Sequence, residues 1–560
     1  MKDVTDTFNN RKWKDSFQNR MSKNKLSGGK VRYLYIILVI LIALYYYIML
    51  PPLHYASLDF WIFLFLIAAG VLIIELLADS VKTFSKLKNG ETGFSMPKFS
   101  LKYKLLVYPW PILLVIGVVT YLVLSPVFFS DGYSNMITVD QASFEEDFPE
   151  TNINQIPLVD RDTAERLGNR QLGNITELVS QFEVAEDYTQ ITIDSAPYRV
   201  SPLEYAGFFR WLNNFQTGIP HYIQVDNVTG EVQLQTPPEP IRYSHSEILN
   251  RDVMRKLRFS NPFALFEAPT FEIDDEGNPF YIASTYTRNF FIREPEVNGV
   301  IVLNATTGET NTYSLEEIPS WVDRVYGADL IMHQLTMQGH YRNGFFNSLF
   351  AQEGVTEPTA GYTYLPIGDD LYLYTGITSV AADESNIGFV LVNLRTKEAQ
   401  MYPLSAAEEF SAMRSAEGSV QETSYTATFP LLININGNPM YILTLKDNSG
   451  LIKEYALVDV QNYQSVYVES SVSQLMQAYA VDNPLDIEEI ETEDDLNEFT
   501  GEVDAVQAVV VEGNTVYYFT FDGTVYKADI SLNDYLPFLE AGTEVDFTAT
   551  ESGEVREIEW

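Results

Sequence analysis

Seven residues separate His333 from His340, two turns if a helix runs through them, so their imidazoles could share one face and one metal ion. Gly339 interrupts that helix, and no carboxylate stands at an obvious ligand spacing, so both read as structural or surface histidines. The turns "DDEGN" (Asp274 to Asn278) and "DNSG" (Asp447 to Gly450) offer oxygen ligands without the alternating spacing and closing Glu of a calcium loop. They read as ordinary turns. Paired carboxylates, which general acid and base work requires, occur at Asp160 with Asp162, Asp369 with Asp370 and Asp383 with Glu384. "RSAEGSV" brings Ser415, Glu417 and Ser419 together, but there is no G-x-S-x-G elbow, and five His in the chain leave little for a triad. No residue is assigned a catalytic, cofactor-binding or metal-ligating role. Asp160, Arg161, Asp162, Glu165, Arg166 and Arg170 form the densest mixed-charge cluster: a candidate docking surface, or more plainly a solvated helix.

The charge of the chain decides where these residues stand. Residues 1–105 hold 15 Lys and Arg against 7 Asp and Glu, while the rest holds 21 against 69. With that many acids, adjacent carboxylates arise by number. Three apolar runs, Tyr33 to Leu50, Phe60 to Ala78 and Leu105 to Phe129, approach or exceed the roughly 20 residues that span a bilayer. Lys and Arg crowd the segment before the first run and the connector after the second, and "PPLHYASLD" between them has neither. The positive-inside bias puts both basic segments in the cytoplasm and everything from about residue 131 outside. The protein is expected to be a multi-pass cell-membrane protein, with the lipid bilayer as its first partner. The chain has no Cys, so its exported part must hold together by burial rather than disulfides, in keeping with a monoderm bacterial surface.

The exported part repeats itself. "HYIQVDNVTGEVQL", "GVIVLNATTGETNTY", "GFVLVNLRTKEAQMY" and "YALVDVQNYQSVYV" each set an Asx residue (Asp226, Asn304, Asn393, Asp459) at a turn between two apolar runs, the signature of a β-hairpin. A helical pattern follows each. "DDEGNPFYIA" and "NINGNPMYIL" are entry turns to an additional strand before the second and fourth hairpins, and "DDLYLYTGI" does the same before the third. Past an acid-rich stretch, "TGEVDAVQAVVVEGNTVYYFTFDGTVYKADI", "YLPFLEAGTEVDFTAT" and "GEVREIEW" give about five short strands, a plausible OB-like barrel. Residues 500–560 contain only Lys527 and Arg556 as bases, which argues against nucleic acid as a partner.

The expected fold is α+β, in six parts. A basic cytoplasmic arm occupies 1–32 and a three-helix membrane anchor 33–130, with a basic connector at 79–104. A membrane-proximal extracytoplasmic segment occupies 131–200, a hairpin-plus-helix repeat region 201–481, an acidic linker 482–498 and an OB-like barrel 499–560.

The turn in "GIPHYIQVDNVTGEV" and its copies resembles that of PepSY modules, small extracytoplasmic helix-and-hairpin units commonly reading D-x-x-T-G-E. The stretches "IPLVDRDTAERLGNRQLGN", "WVDRVYGADL", "DESNIGFVLVNLRTKEA" and "SAEGSVQETSYTATFPLLI" are similar to an uncharacterised family of large membrane-anchored proteins of Gram-positive bacteria. The PepSY resemblance implies binding to, or restraint of, an extracytoplasmic peptidase. Three functions are therefore weighed. The leading one is a non-enzymatic scaffold that binds another cell-envelope component, most naturally a protein. The others are a regulator or inhibitor of a peptidase, and a cell-wall hydrolase or transferase using a carboxylate pair such as one at Asp369 or Asp383.

Overall fold

The structure, a computed structural model, describes residues 28–88, 101–149, 156–483 and 497–560, apart from positions 194, 291, 381, 512–513, 534, 550–552 and 554. The basic arm up to residue 27, connector residues 89–100 and acidic-linker residues 484–496 lie outside the described residues. The architecture is mixed α+β, with three long apolar helices near the N-terminus and many sheets.

Three stretches are helical, long and apolar enough to cross a membrane: Val31–Met49, Leu58–Asp79 and Tyr103–Val123. Leu, Ile and Val side chains stand exposed along all three, as a hydrocarbon solvent permits and water does not. The third stretch is broken at Tyr108, where Pro109 starts a new helix in the first-turn position that needs no backbone N–H. Glu75, the acid inside the second run, accepts a hydrogen bond from the Tyr35 hydroxyl of the first helix at 2.8 Å.

Beyond the spans the chain builds four largely antiparallel sheets in succession. The first uses Phe182–Val184, Thr189–Ile193, Ala196–Tyr205, Tyr222–Asp226 and Val232–Gln235. The second uses Thr270–Ile273, Pro279–Asn289, Glu294–Asn304 and Thr310–Ser314. The third uses Thr356–Pro358, Thr363–Ile367, Asp370–Ser379, Ala382–Asn393 and Ala399–Ala407, and Val139–Gln141 joins its edge in parallel. The fourth uses Thr426–Ala427, Leu431–Ile435, Asn438–Lys446, Ile452–Asp459 and Val466–Glu469.

Three of the expected hairpins are the outer pair of their sheet, the third is flanked by Val139–Gln141, and the four turns share one hydrogen-bond scheme. Oδ1 of Asp226 accepts from the N–H groups of Val228 and Thr229, that of Asn304 from Thr306 and Thr307, that of Asn393 from Arg395 and Thr396, and that of Asp459 from Gln461 and Asn462. Side chains thus satisfy N–H groups that the ladder cannot reach. In the first three turns the hydroxyl of Thr229, Thr307 or Thr396 accepts from the Glu two residues on, and the residue between is left-handed. It is Gly230 and Gly308 in two turns and Lys397, at φ +67, in the third.

The helices belong to the sheets in a different phase from the expected one. Arg161–Gly173 packs on the first sheet, Val253 and Leu257 of Val253–Ser260 enter the core shared with the second, Ala328–Tyr341 packs on Thr356–Pro358 of the third, and Glu409–Ser419 lies across the fourth. Each helix therefore covers the sheet after it. Sequence adjacency cannot reveal this, because the chain leaves each sheet once its hairpin is complete. Val472–Asp482 is a fifth helix, whose Tyr479 ring packs edge-on against Tyr467 of the fourth sheet at 5.6 Å. A boundary at residue 201 falls inside Ala196–Tyr205, since the first sheet begins at Phe182.

The four units close into a circuit. Sheets one and two share an apolar core containing Ile223, Phe271 and Tyr281, and sheets two and three share another containing Val302, Leu373 and Val390. Sheets three and four meet at Glu409, fully buried, which accepts from Asn386 Nδ2 at 3.0 Å and from the Tyr374 hydroxyl at 3.5 Å. The Tyr441 hydroxyl donates to the Ala407 carbonyl at 2.8 Å in the same place. Sheet four returns to the first helix through Lys446 and Asp160, 2.6 Å apart.

The second compact unit is Ala480–Trp560. Its described strands form two three-stranded antiparallel sheets. One is Asn497–Glu502, Glu544–Ala549 and Val555–Glu559, and the other is Ala505–Val511, Asn514–Phe521 and Thr524–Asp529. Phe499, Phe519, Tyr526 and Phe547 stack within one core between them, with ring centroids 4.9 to 5.8 Å apart.

Candidate functional site

Thr270–Ile273 alternates faces: Phe271 and Ile273 enter the core of the first two sheets, which leaves Thr270 and Glu272 on the other side. Glu272 has no exposed surface. Its Oε1 accepts from the Thr270 hydroxyl at 3.0 Å and its Oε2 from the Asp323 N–H at 3.1 Å. Asp323, 2% exposed, accepts from the Thr192 N–H at 2.5 Å, which ties the loop before Ala328–Tyr341 to the first sheet. Burial pushes Glu272 up to about 7, against the pull of the Asp323 and Thr270 hydrogen bonds and of Arg324. Burial and the neighbouring Glu272 push Asp323 well above the ordinary carboxylate range. Burial and the closeness of the two carboxyls both oppose a second charge in this layer.

Arg324 is the next residue in the chain. It donates from Nη2 to the Tyr364 hydroxyl at 3.3 Å and stands 5.4 Å from the centre of that ring. Burial acts to lower its pKa, but Tyr364, Glu272 and Asp187 outweigh it and raise the value. A second buried guanidinium, Arg199, donates to Gln190 Oε1 at 2.9 Å and to the Val159 carbonyl at 3.2 Å, and burial pushes it down to about 10. Thr189, Gln190 and Thr192 beside it each keep one buried polar atom without a partner in the structure.

Next to this buried layer is a cavity of about 280 Å³ lined by Glu267, Thr270, Ser284, Arg324, Asp329 and Tyr362, with Ala268, Ile282, Gly327, Ala328 and Leu330 as its apolar part. Burial and Asp329 raise the pKa of Glu267, and Arg324 and Arg288 oppose them. A Cβ on Gly327 would stand 3.1 Å from Glu267 Oε2, so the absence of a side chain there gives the carboxyl its room. Two carboxyls, a guanidinium, a phenol and two hydroxyls around an apolar floor can hold a small polar ligand by donors and acceptors together. Glu272 and Asp323 are sealed off, so a substrate would meet Glu267 and Asp329 instead.

The six residues of the expected docking cluster fall on one helix, Arg161–Gly173, and its N-cap. Asp160 is the N-cap, accepting from the Thr163 N–H at 3.1 Å, and Arg161 donates to the Glu186 carbonyl at 2.7 Å. Asp162 is exposed, Glu165 is half-buried, Arg166 lies against Gly450 and Arg170 stands in the last turn. The helix is therefore a joint between sheets one and four on one side and a charged surface on the other. Elsewhere, Asp369 is exposed in a turn, and Asp370 pairs with Arg395 and accepts from Asn393 Nδ2 at 2.8 Å. Residues 383 and 384 lie in Ala382–Asn393, and their side chains fall outside the described part of the structure. Contrary to the expectation, helix Ala328–Tyr341 runs through Gly339 and carries both histidines, but His333 pairs with Glu294 at 2.7 Å and His340 with Glu357 at 3.4 Å. Among the described residues no group of three or more His, Asp and Glu could hold a metal ion.

Sequence reasoning missed Glu267, Glu272, Asp323, Arg324 and Asp329. One signal was available: "TFEI" and "WVDRVY" set charged residues inside apolar runs, where a charge needs a partner.

No family model matches the chain, and no curated protein matches it. Among solved structures, a mutant of the apocarotenoid oxygenase of Synechocystis aligns with a TM-score of 0.16 and 9% identity over 51% of this chain and 60% of that one. An exo-beta-1,3-galactanase from Phanerochaete chrysosporium aligns with a TM-score of 0.17 and 8% identity over 66% and 65%. An alpha-L-arabinofuranosidase from Lactobacillus brevis aligns with a TM-score of 0.16 and 10% identity over 67% and 94%. The chain spans about 60% of the length of the first of these, and likenesses this weak carry no argument about fold or activity.

Proposed function

We propose that the chain is a multi-pass membrane-anchored binding protein of the bacterial cell envelope. Its N-terminus is cytoplasmic, its residues from about 131 onward are extracytoplasmic, and it works as a non-enzymatic scaffold for another envelope component, a protein. The observation that carries this reading is the closed circuit of four sheets, fastened by Lys446 to Asp160, which gives a large fixed surface next to three apolar helices. Glu272 and Asp323 are buried and serve the joint between sheets, which leaves the cavity acids Glu267 and Asp329 beside Arg324 to meet a ligand.

The helix-and-hairpin units are PepSY-like, on the strength of the Asx-x-x-Thr-Gly-Glu turn of the first two hairpins and its Thr-Lys-Glu form in the third, and the two C-terminal sheets around one aromatic core form an OB-like barrel. That turn also favours a second function, restraint of an extracytoplasmic peptidase. Chemical crosslinking in intact cells, with the full chain tagged at its N-terminus and partners identified by mass spectrometry, separates the two. Structural envelope proteins are expected. A single dominant peptidase, inhibited by the purified protein, would move the assignment to the regulator. Turnover of peptidoglycan by the purified full-length protein would overturn both.

A further inference from the structure

Six phenylalanines stand exposed among described residues 135–479: Phe208, Phe209, Phe259, Phe263, Phe346 and Phe350. Water does not favour them there, and singly exposed apolar residues would need no explanation, but these six gather in two patches. Both patches are joined to the ends of the apolar helices.

The first patch begins where the first apolar helix ends. The Phe259 ring lies 5.7 Å from that of Tyr46 and 6.1 Å from that of Tyr47, and the Leu53 N–H donates to the Pro262 carbonyl at 2.7 Å. Arg255 stands 4.5 Å from the centre of the Tyr47 ring and donates to its carbonyl at 3.3 Å. Helix Phe208–Asn214 continues this patch, because Trp211 donates to Glu247 at 2.8 Å and Arg251 donates to the Phe215 carbonyl. The second patch begins at the third apolar helix, where Arg293 lies 4.0 Å from the centre of the Tyr121 ring. Phe290 stacks on Tyr133 at 4.3 Å, Tyr133 meets Tyr341 at 6.2 Å and Tyr341 meets Phe345 at 6.1 Å, leading to Phe346 and Phe350. Tyr residues at the ends of spans sit at headgroup depth, so both patches are held at that depth. Residues 249–263 also carry the half-buried Arg251, Arg255 and Lys256 against Asp252 alone, in a region otherwise dominated by acids, while Arg258 is buried and donates to the Ala264 carbonyl at 2.6 Å.

We infer that residues 208–215, 249–263 and 345–350 seat the sheets on the outer leaflet of the bilayer, with the phenylalanines in the headgroup and acyl boundary and the bases toward lipid phosphate. This rests on the reading that the three apolar helices cross that bilayer with the sheets outside. The protein would then present its binding surface from a fixed tilt rather than on a loose tether.

Because the chain has no Cys, single nitroxide labels can be placed at Phe209→Cys, Phe263→Cys and Phe350→Cys in the full-length protein, in vesicles of phosphatidylglycerol and phosphatidylethanolamine. Val39→Cys in the first apolar helix and Ser449→Cys in an exposed turn are the references. The ratio of accessibility to oxygen over a water-soluble nickel complex should be several-fold higher at the three phenylalanine positions than at Ser449 and approach that at Val39. Ratios at the Ser449 level with Val39 lipid-like would overturn the seating and leave the anchor standing. A water-like Val39 would overturn the anchor itself. Low accessibility to both probes would mean that protein, not lipid, covers the patches, and would overturn the seating as well.

Discussion

Lys446 Nζ and Asp160 Oδ2 are 2.6 Å apart although 286 residues separate them in the chain, and this contact fastens the fourth sheet to the helix that opens the first. Asp160 does two jobs at once: it also caps that helix by accepting from the Thr163 N–H. Burial alone would raise its pKa, but Lys446 and Thr163 outweigh burial and lower it.

Removing the cap should therefore matter more than removing the ion pair. Asp160→Ala is expected to destabilise the protein by about 1 kcal/mol through the lost cap, plus less than about 1 kcal/mol from the pair. Lys446→Met should cause only the smaller loss. Chemical denaturation of both variants and of the double variant measures this, and equal effects would show that the cap contributes nothing.

Glu272 makes the protein sensitive to pH in a defined direction. Its folded value of about 7 lies above the ordinary 4.5, so the folded state keeps a proton that the unfolded chain gives up. The stability this adds is fully present below about 4.5 and is lost as pH rises through about 7, roughly 3 kcal/mol in all. Thermal unfolding from about pH 5 to about pH 8 should show a falling Tm in the native protein. Glu272→Gln, which cannot give up a proton, should flatten that slope, and an unchanged slope would assign it to Asp323 or elsewhere.

The two echoed turns depend on glycine for their backbone, not for space. Gly437 has φ +80 and no atom within 4 Å of where a Cβ would stand, so Gly437→Ala isolates the conformational effect. A loss of about 1 kcal/mol is expected in denaturant unfolding. Gly277, at φ +79 with only the Tyr222 hydroxyl nearby at 3.9 Å, should behave alike.

Lys397 is the reverse case. It holds the left-handed position that Gly230 and Gly308 hold in sister turns, and its Nζ reaches Glu296 Oε1 at 2.6 Å across sheets two and three. Lys397→Gly should relieve about 1 kcal/mol of backbone strain while losing the ion pair, leaving net stability nearly unchanged. Glu296→Gln loses the pair and relieves nothing, so it should destabilise. A double-mutant cycle on these two positions reads the coupling directly.

The hairpins and their entry strands were legible because the Asx, Thr and Gly of each turn act locally, through hydrogen bonds two or three residues long. The three apolar helices were legible for a similar reason, since span length and composition are local quantities. The edge strand Thr270–Ile273 was less so: it is short, and what fixes it is contact between sheets, whereas a strand was expected over 187–194 and Thr189–Ile193 lies there. Glu272 and Asp323 were missed because 51 residues separate them, and only the packing of the loop before Ala328–Tyr341 brings them together. The charged cluster from Asp160 to Arg170 was seen as a unit, but its tie to Lys446 depends on closure of the whole circuit.

All functional readings depend on the sheets standing outside the cell, and the Cys-free chain allows a direct test. Thr229→Cys, exposed at the first hairpin turn, should react with a membrane-impermeant maleimide in intact cells, while Lys25→Cys should react only after lysis. The opposite pattern, with Lys25→Cys labelled in intact cells and Thr229→Cys protected, would place the sheets in the cytoplasm and contradict the account.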